Sequence, residues 1–205
     1  MYETVVVGSG PAGLNAALYL KRADKNVVII EKENEIVRKD VWQVVLASGK
    51  IIETETLIYA AGAVPRKLGI PGEKLFQGKG ISYCAYCDGS LFKGKDVAVI
   101  GGGNTALEDA LYLSDLCRKV YLIHRRKEFK GNNATVELLK KRKNVEMILK
   151  AAVQKACGQK KLEEIILDSG EKIHIAGLFV AIGMRPLSDM IKDYVQRTEG
   201  GYVIA

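Results

Sequence analysis

The sequence predicts an α/β protein in which one strand–turn–helix–strand unit occurs twice, with the second copy inserted in the first. A glycine-rich turn follows a short apolar strand at Gly8–Gly13 and again at Gly101–Ala106. Further on, Val44-Val-Leu-Ala-Ser48-Gly49 matches Ile165-Ile-Leu-Asp-Ser169-Gly170, and Ala60-Ala-Gly62-Ala-Val-Pro65 matches Ala181-Ile-Gly183-Met-Arg-Pro186. With 205 residues the chain can bury one good core, or two small ones sharing an interface.

The elements follow in order. Glu3 to Val7 reads as a strand, Gly8-Ser-Gly10-Pro11-Ala12-Gly13 as a turn, and the next residues as a helix to about Ala23. Val27 to Ile30 is a second strand, ending at Glu31, and Lys32 to Asp40 reads as a polar connector. The second copy runs Asp96–Ile100, Gly101-Gly-Gly103-Asn104-Thr105-Ala106, a helix to about Leu116 and a strand over Val120–Ile123. A helix near Ala134–Arg142 and strands near Val145–Leu149 and Ala151–Ala156 come next. Gly8 matches Gly101, 93 residues on, whereas Gly49 matches Gly170, 121 residues on, so the first copy is 28 residues shorter. Residues 66–184 are expected to form a complete domain, with 1–65 plus 185–205 forming a partial one around it. Gly and Pro in Ala61–Pro65 and Gly183–Pro186 mark both crossings as hinges.

A glycine turn between a strand and a helix lets backbone N–H groups approach a pyrophosphate, and the helix N-terminus favours its charge. Pro11 suits the first helical position, where no N–H is needed. A lone glycine pattern is weak evidence, but here both turns sit in the strand–turn–helix–strand context that dinucleotide binding requires. The fold class is therefore two Rossmann-like, three-layer ββα dinucleotide-binding domains, the first of them incomplete. Glu31 can bond a free ribose 2′-OH and repels a 2′-phosphate, which suits FAD or NAD. The second copy ends in His124-Arg125-Arg126, with Lys130 a turn on, and such cations clamp a 2′-phosphate, which suits NADPH. The competing reading of Arg125 and Arg126 is plain surface charge. Asn104 and Thr105 either cap the second helix or touch the cofactor. Glu108 is a cofactor-facing acid or an exposed helix residue.

Cys84-Ala-Tyr-Cys87-Asp88-Gly89 has the spacing of a redox dithiol, in which one thiolate attacks a disulfide and the other resolves the mixed intermediate. A helix start near Cys87 would lower its pKa. Asp88 can pass protons to or from a leaving thiolate. Zinc needs four ligands, and Cys117, Cys157, His124 and His174 are too scattered, so no metal site is expected. An inert buried cysteine pair is the other alternative.

Net charge is +7, and Arg118 to Lys161 hold fourteen Lys and Arg against three Glu. Without an aromatic-interleaved groove, this reads as a solvated face with a few groups for an anionic cofactor, and no nucleic-acid partner is expected. No apolar run can span a bilayer and no signal peptide is evident, so no membrane association and a cytoplasmic location are expected.

These residues resemble the low-molecular-weight thioredoxin reductases. The likeness rests on Val5-Val-Val-Gly-Ser-Gly-Pro-Ala-Gly13, Cys84-Ala-Tyr-Cys87-Asp88-Gly89, Val97-Ala-Val-Ile-Gly-Gly-Gly-Asn-Thr105, Ile123-His-Arg-Arg126 and Gly177-Leu-Phe-Val-Ala-Ile-Gly183. The resemblance implies FAD on the first unit, NADPH on the second, and electron flow to a thioredoxin-like protein. It implies that Cys87 faces the flavin, Cys84 attacks the partner and Asp88 is the acid. Gly62, Ile182 and Gly183 join the candidate cofactor-binding residues. The family is usually a homodimer whose two domains turn against each other. It differs in carrying a Gly-Gly-Gln segment after the position of Glu31, and in continuing past the position of Ala205 into a Gly-Asp motif. A flavin-less, inactive NADPH-binding module descended from such a reductase is the alternative reading.

Overall fold

The computed structural model describes residues 1–31 and 35–204. The chain divides into two compact units, Met1–Val64 with Arg185–Ala205, and Pro65–Met184.

In the first unit, β1 (Tyr2–Val7) leads through the glycine turn into α1 (Pro11–Arg22) and β2 (Val27–Ile30). Two antiparallel strands follow, β3 (Glu35–Arg38) and β4 (Trp42–Val45), then the long β5 (Ile51–Tyr59) and the short β6 (Ala63–Pro65). The sheet order is β2-β1-β5-β4-β3, parallel across β2-β1-β5 and antiparallel across β5-β4-β3. β5 joins the two halves, since Thr54 lies opposite both Tyr2 of β1 and Trp42 of β4. Alternation along β1 explains the layering. Val5 and Val7 pack with Ile30, Ile36, Val44 and Ile52, while Val6 faces Gly13 of α1.

The expected polar connector contains a strand, and this corrects the sequence reading. Its Glu35-Ile36-Val37-Arg38 segment pairs with β4, because Ile36 is buried in the same cluster as Val44. Positions 32–34 of that connector lie outside the described residues.

The second unit begins with α2 (Glu73–Phe76), β7 (Ile81–Ser82), α3 (Ala85–Asp88) and a 3-10 turn over Gly89–Phe92. The second glycine turn links β8 (Asp96–Ile100) to α4 (Asn104–Leu116), followed by β9 (Lys119–His124), α5 (Asn133–Lys140) and β10 (Val145–Leu149). A separate meander, β11 (Val153–Cys157), β12 (Glu164–Leu167) and β13 (Lys172–His174), precedes β14 (Gly177–Val180). The parallel sheet runs β10-β9-β8-β14-β7. Val97 and Val99 face Leu107, Ala110, Leu113 and Leu139 of the helices, while Ala98 and Ile100 face Val153, Ile165 and Ile173 of the meander. That alternation is the three-layer ββα arrangement, and each fully buried Leu, Ile or Phe in it contributes about 1.5–3 kcal/mol.

The duplication is visible in the strands, with the first unit the simpler copy. β4 of the first corresponds to β12 of the second by the sequence match, and β5 does the work of β13 and β14 together. α5 and β10 have no counterpart among the described residues of the first unit, where the missing residues were expected. At the crossings, β6 pairs with β15 (Met184–Pro186) in a two-stranded ribbon, and Gly62 and Gly183 beside it hold positive φ of 71° and 95°. Among the described residues no helix is long and apolar enough to cross a membrane.

One buried charge costs stability. Asp109, 7% exposed on the inner face of α4, has no cation paired with it among the described residues, and burial, with Glu108 beside it, pushes its carboxyl up to about 6. The unfolded carboxyl ionises near 3.8, so the folded state binds the extra proton, and stability falls as pH rises from that value through about 6. Asp109→Asn is therefore expected to stabilise the protein by roughly 2–3 kcal/mol at pH 7–8. Melting curves against pH check this, and the gain should vanish near pH 4.

Candidate functional site

The first glycine turn is shaped by close approach. Gly8 has φ of 108°, and a Cβ there would lie 2.3 Å from the Ala60 carbonyl oxygen. A Cβ on Gly13 would lie 1.9 Å from the Gly8 oxygen, which keeps α1 tight against β1. Gly10, by contrast, has no atom within 4 Å of where its Cβ would stand, so the backbone is open at the place a pyrophosphate approaches. It is the N-cap of α1, with Pro11 first in the helix and no side chain capping it, which leaves Ala12 and Gly13 in an uncapped first turn. Glu31, at the end of β2, accepts a 2.6 Å hydrogen bond from the Ser9 N–H and so sits over the same turn.

The second turn repeats this shape. A Cβ on Gly101 would lie 2.3 Å from the Ala181 oxygen and 2.6 Å from the Ala106 Cβ, while Gly103 is open and caps α4 without a side-chain bond. Ala181 leads into Ile182 and Gly183, so the second repeat match closes on this turn as Ala60 to Gly62 close on the first. Gly102 lies under the His124 ring. That ring stacks on Phe129, with centroids 5.5 Å apart, and its buried Nε2 has no hydrogen-bond partner. Burial lowers its pKa, a hydrogen bond with the Glu128 backbone offsets part of this, and the Arg126, Arg125 and Lys130 charges lower it again, so the imidazole is predominantly neutral at pH 7.

Arg125, Arg126 and Lys130 are exposed at the mouth of this turn. Cations at the opposite end of the sheet are paired, Arg118 with Asp96, Lys119 with Glu146 and Arg142 with Asp115, all at 2.7 Å. Among the described residues no carboxylate pairs with Arg125, Arg126 or Lys130. Asn104 does not cap α4, because Gly103 holds that place; its Oδ1 instead accepts from the Asn132 N–H at 2.8 Å. Thr105 lies in the first turn of α4 with no side-chain cap role. Glu108 is exposed on that helix.

The cysteine pair sits on α3, a single helical turn. Cys84 is its N-cap, Cys87 lies inside it, and the two are joined as a disulfide with Cα atoms 5.3 Å apart. Cys84 is half-buried and Cys87 exposed. Ala85 packs into the α4 cluster, and Tyr86 stacks on Tyr112 of α4 with centroids 4.5 Å apart. On the other side, buried Glu73 accepts from the Leu68 and Gly69 N–H groups and the Tyr83 hydroxyl, each at 2.8 Å. Burial and that carboxylate push the Tyr83 phenol up, so it stays neutral beside Cys84.

Sequence reasoning missed Ser82. Its buried hydroxyl donates to the Asp88 carboxylate at 2.6 Å and accepts from the Cys84 N–H at 3.0 Å. One hydroxyl thus ties the candidate acid to the backbone of the candidate attacking cysteine. A serine two residues before a Cys-x-x-Cys pair carries no signal until folding brings position 82 beside position 88. Ser82→Ala is expected to slow thiol–disulfide exchange at the pair about tenfold, the size of one hydrogen bond to a charged group. Stopped-flow exchange with a small disulfide measures it, and Ser82→Thr should restore most of the rate.

Comparison with known proteins agrees with this geometry. The sequence matches the family described as pyridine nucleotide-disulphide oxidoreductase over residues 2–43 and 36–205. The two matched stretches overlap at residues 36–43, where the first unit is abbreviated. The chain is 34% identical to the thioredoxin reductase of Mycoplasma genitalium over 257 aligned positions, covering all of this chain and 82% of that protein. It is 35% identical to the thioredoxin reductase of Buchnera aphidicola subsp. Schizaphis graminum, covering 97% of this chain and 80% of that one. The crystal structure of thioredoxin reductase from Streptococcus pyogenes superimposes with a TM-score of 0.80 at 28% identity, covering all of this chain and 84% of that one. A redox pair between two glycine turns, matched at this identity along the whole chain, leads to one assignment: this chain belongs to the pyridine nucleotide-disulphide oxidoreductase family, as an oxidoreductase of the thioredoxin reductase type.

Proposed function

We propose that this chain passes electrons from NADPH, held by the second unit, to a thioredoxin-like protein disulfide through Cys84 and Cys87, with FAD held by the first unit. The observation that carries the reading is the dithiol itself: a disulfide with one exposed cysteine, and an acid fixed by hydrogen bond to the same loop. Relatives named thioredoxin reductase support the choice of acceptor.

The residues present suit the two nucleotides. Gly8, Gly10, Pro11, Ala12 and Gly13 would hold the FAD pyrophosphate, and Glu31 its adenosine ribose, with Gly62 after the matching strand. Gly101, Gly103 and Thr105 would hold the NADPH pyrophosphate, His124, Arg125, Arg126 and Lys130 its 2′-phosphate end, and Ile182 and Gly183 its other edge. Flavin, when bound, supplies a two-electron relay between a nicotinamide and a disulfide.

The chain's own groups carry the remaining chemistry. In the reduced pair the Cys84 thiolate attacks one sulfur of the partner disulfide. The partner's S–S bond breaks, a Cys84–partner disulfide forms, and Asp88, having taken the proton of the Cys84 thiol, returns it to the departing thiolate. Cys87 then attacks Cys84 Sγ, restoring the Cys84–Cys87 disulfide and releasing the second partner sulfur, which takes up the Cys87 thiol proton. The partner gains two electrons, and the pair loses them.

A second reading is favoured by the abbreviated first unit, in which β2 passes to the meander with no counterpart of α5 and β10 among the described residues: an NADPH-binding module without flavin. The visible spectrum separates the two. The purified protein is expected to be yellow and to bleach on addition of NADPH. A colourless protein that also fails to bleach added FAD removes the reductase reading; a melting temperature raised by NADPH that is not consumed would then establish the second.

A further inference from the structure

The loop that carries the cations is bolted to the glycine turn, and one side chain closes the bolt. Three consecutive residues of the loop donate to two residues of the turn. Lys130 N–H bonds the Gly102 oxygen at 2.7 Å, Gly131 N–H bonds the same oxygen at 3.1 Å, and Asn132 N–H bonds Asn104 Oδ1 at 2.8 Å. The first two use backbone and survive most substitutions. The third depends on the amide of Asn104, which begins α4.

The loop is gripped from its far end as well. Asn132 Oδ1 accepts from the Ala134 N–H and caps α5, so Asn132 ties the cationic loop to α4 through its backbone and to α5 through its side chain. Gly131 is pressed against the same place. A Cβ there would lie 2.6 Å from Leu107 Cδ1 and 2.9 Å from both the backbone nitrogen and Oδ1 of Asn104. The loop approaches as closely as a residue without a side chain allows.

We infer that Asn104 is a specificity-positioning residue: by holding the Asn132 N–H it fixes the loop so that Arg125, Arg126 and Lys130 meet a ribose 2′-phosphate. This deepens the NADPH reading and rests on it. Asn104 acts on the cations' placement and need not touch the phosphate. A substituent on ribose is discriminated only by groups held still relative to the turn that holds the pyrophosphate. Free to swing, the cations would still attract any anionic nucleotide, but without regard to where its extra phosphate stands.

The test measures binding of 2′,5′-ADP and of ADP to the full chain by calorimetry, taking the ratio of their affinities. Asn104→Ala is expected to lower that ratio about tenfold. Gly131→Ala, which displaces the loop while leaving the Asn104 amide in place, should lower it as well. Asn104→Asp keeps the acceptor for Asn132 and is expected to hold the ratio within threefold of the wild type, its added charge acting on both nucleotides. Far-ultraviolet circular dichroism and melting verify that each variant is folded. The Arg125→Ala/Arg126→Ala double variant reports on the underlying reading. If it abolishes the preference while Asn104→Ala and Gly131→Ala keep it, the inference is overturned and the NADPH reading stands. Loss of the ratio in Asn104→Asp equal to that in Asn104→Ala also overturns it, since the acceptor would not be what matters. If the double arginine variant keeps the preference, the NADPH reading itself fails.

Discussion

Replacing Cys87 by serine is expected to abolish NADPH-dependent disulfide turnover, by roughly a thousandfold or more, because a unit of two acting groups has lost one of them. The form of the loss is more informative than its size. Cys84 is half-buried at the N-cap of α3, with its N–H held by Ser82, and none of this changes in the variant. Once reduced, its thiolate still attacks a partner, but no second thiol remains to resolve the product. A covalent adduct between Cys84 and the acceptor should therefore accumulate, visible on non-reducing gels and by mass spectrometry, and dissolve with dithiothreitol. Cys84→Ser should be equally inactive without the adduct if Cys84 is the attacking group. Turnover above roughly a tenth of the wild-type rate in Cys87→Ser would contradict the assignment, since a resolving thiol cannot be dispensable.

The second large effect is on coenzyme choice. The Arg125→Ala/Arg126→Ala variant is expected to lose the preference for NADPH over NADH by about a hundredfold. Each arginine offers a charge-assisted bond worth about 1.5–3 kcal/mol when desolvated, and exposure and screening reduce that. Neither arginine has a carboxylate partner among the described residues, so the substitution breaks no ion pair there, and its effect reads on ligand rather than on fold. Lys130 keeps a residual attraction, and the neutral His124 contributes no charge at pH 7. Equilibrium titrations with the two coenzymes at low and high salt measure the ratio, and the wild-type preference should weaken as salt rises. A ratio that survives the double substitution would contradict the placement of the 2′-phosphate.

Much of this was legible from the residues because the signals are local. β1, α1 and β2, and again β8, α4 and β9, declare themselves by a strand-length apolar run, a glycine turn and a helical period, all within some thirty residues. The cysteine spacing is local too. What escaped notice depends on residues meeting from a distance or on short segments with mixed character. β3 hides in a polar stretch because two of its four residues are charged, and it holds its place through Ile36 reaching the core beneath β4. Ser82 and Asn104 are ordinary polar residues whose importance lies in which N–H and which carboxylate they reach. Asn104 was legible as mattering but not as to how: it is not the helix cap that its position allows, and its amide oxygen grips a loop 28 residues away. Gly131 gave no signal at all, since only the packed Leu107 and Asn104 show why a larger residue cannot stand there.

The long strand β5 has a further consequence for how the first unit comes apart. One continuous backbone there serves a parallel ladder with β1 and an antiparallel ladder with β4, overlapping at Thr54. In the second unit the same duties fall to two separate strands in two sheets. A meander that owns its strands can fray while its neighbour stays closed; one that borrows them takes its neighbour with it. Amide protons of the first unit should accordingly exchange as a single block across both halves of the sheet, whereas in the second unit the meander can release its protons ahead of the parallel strands.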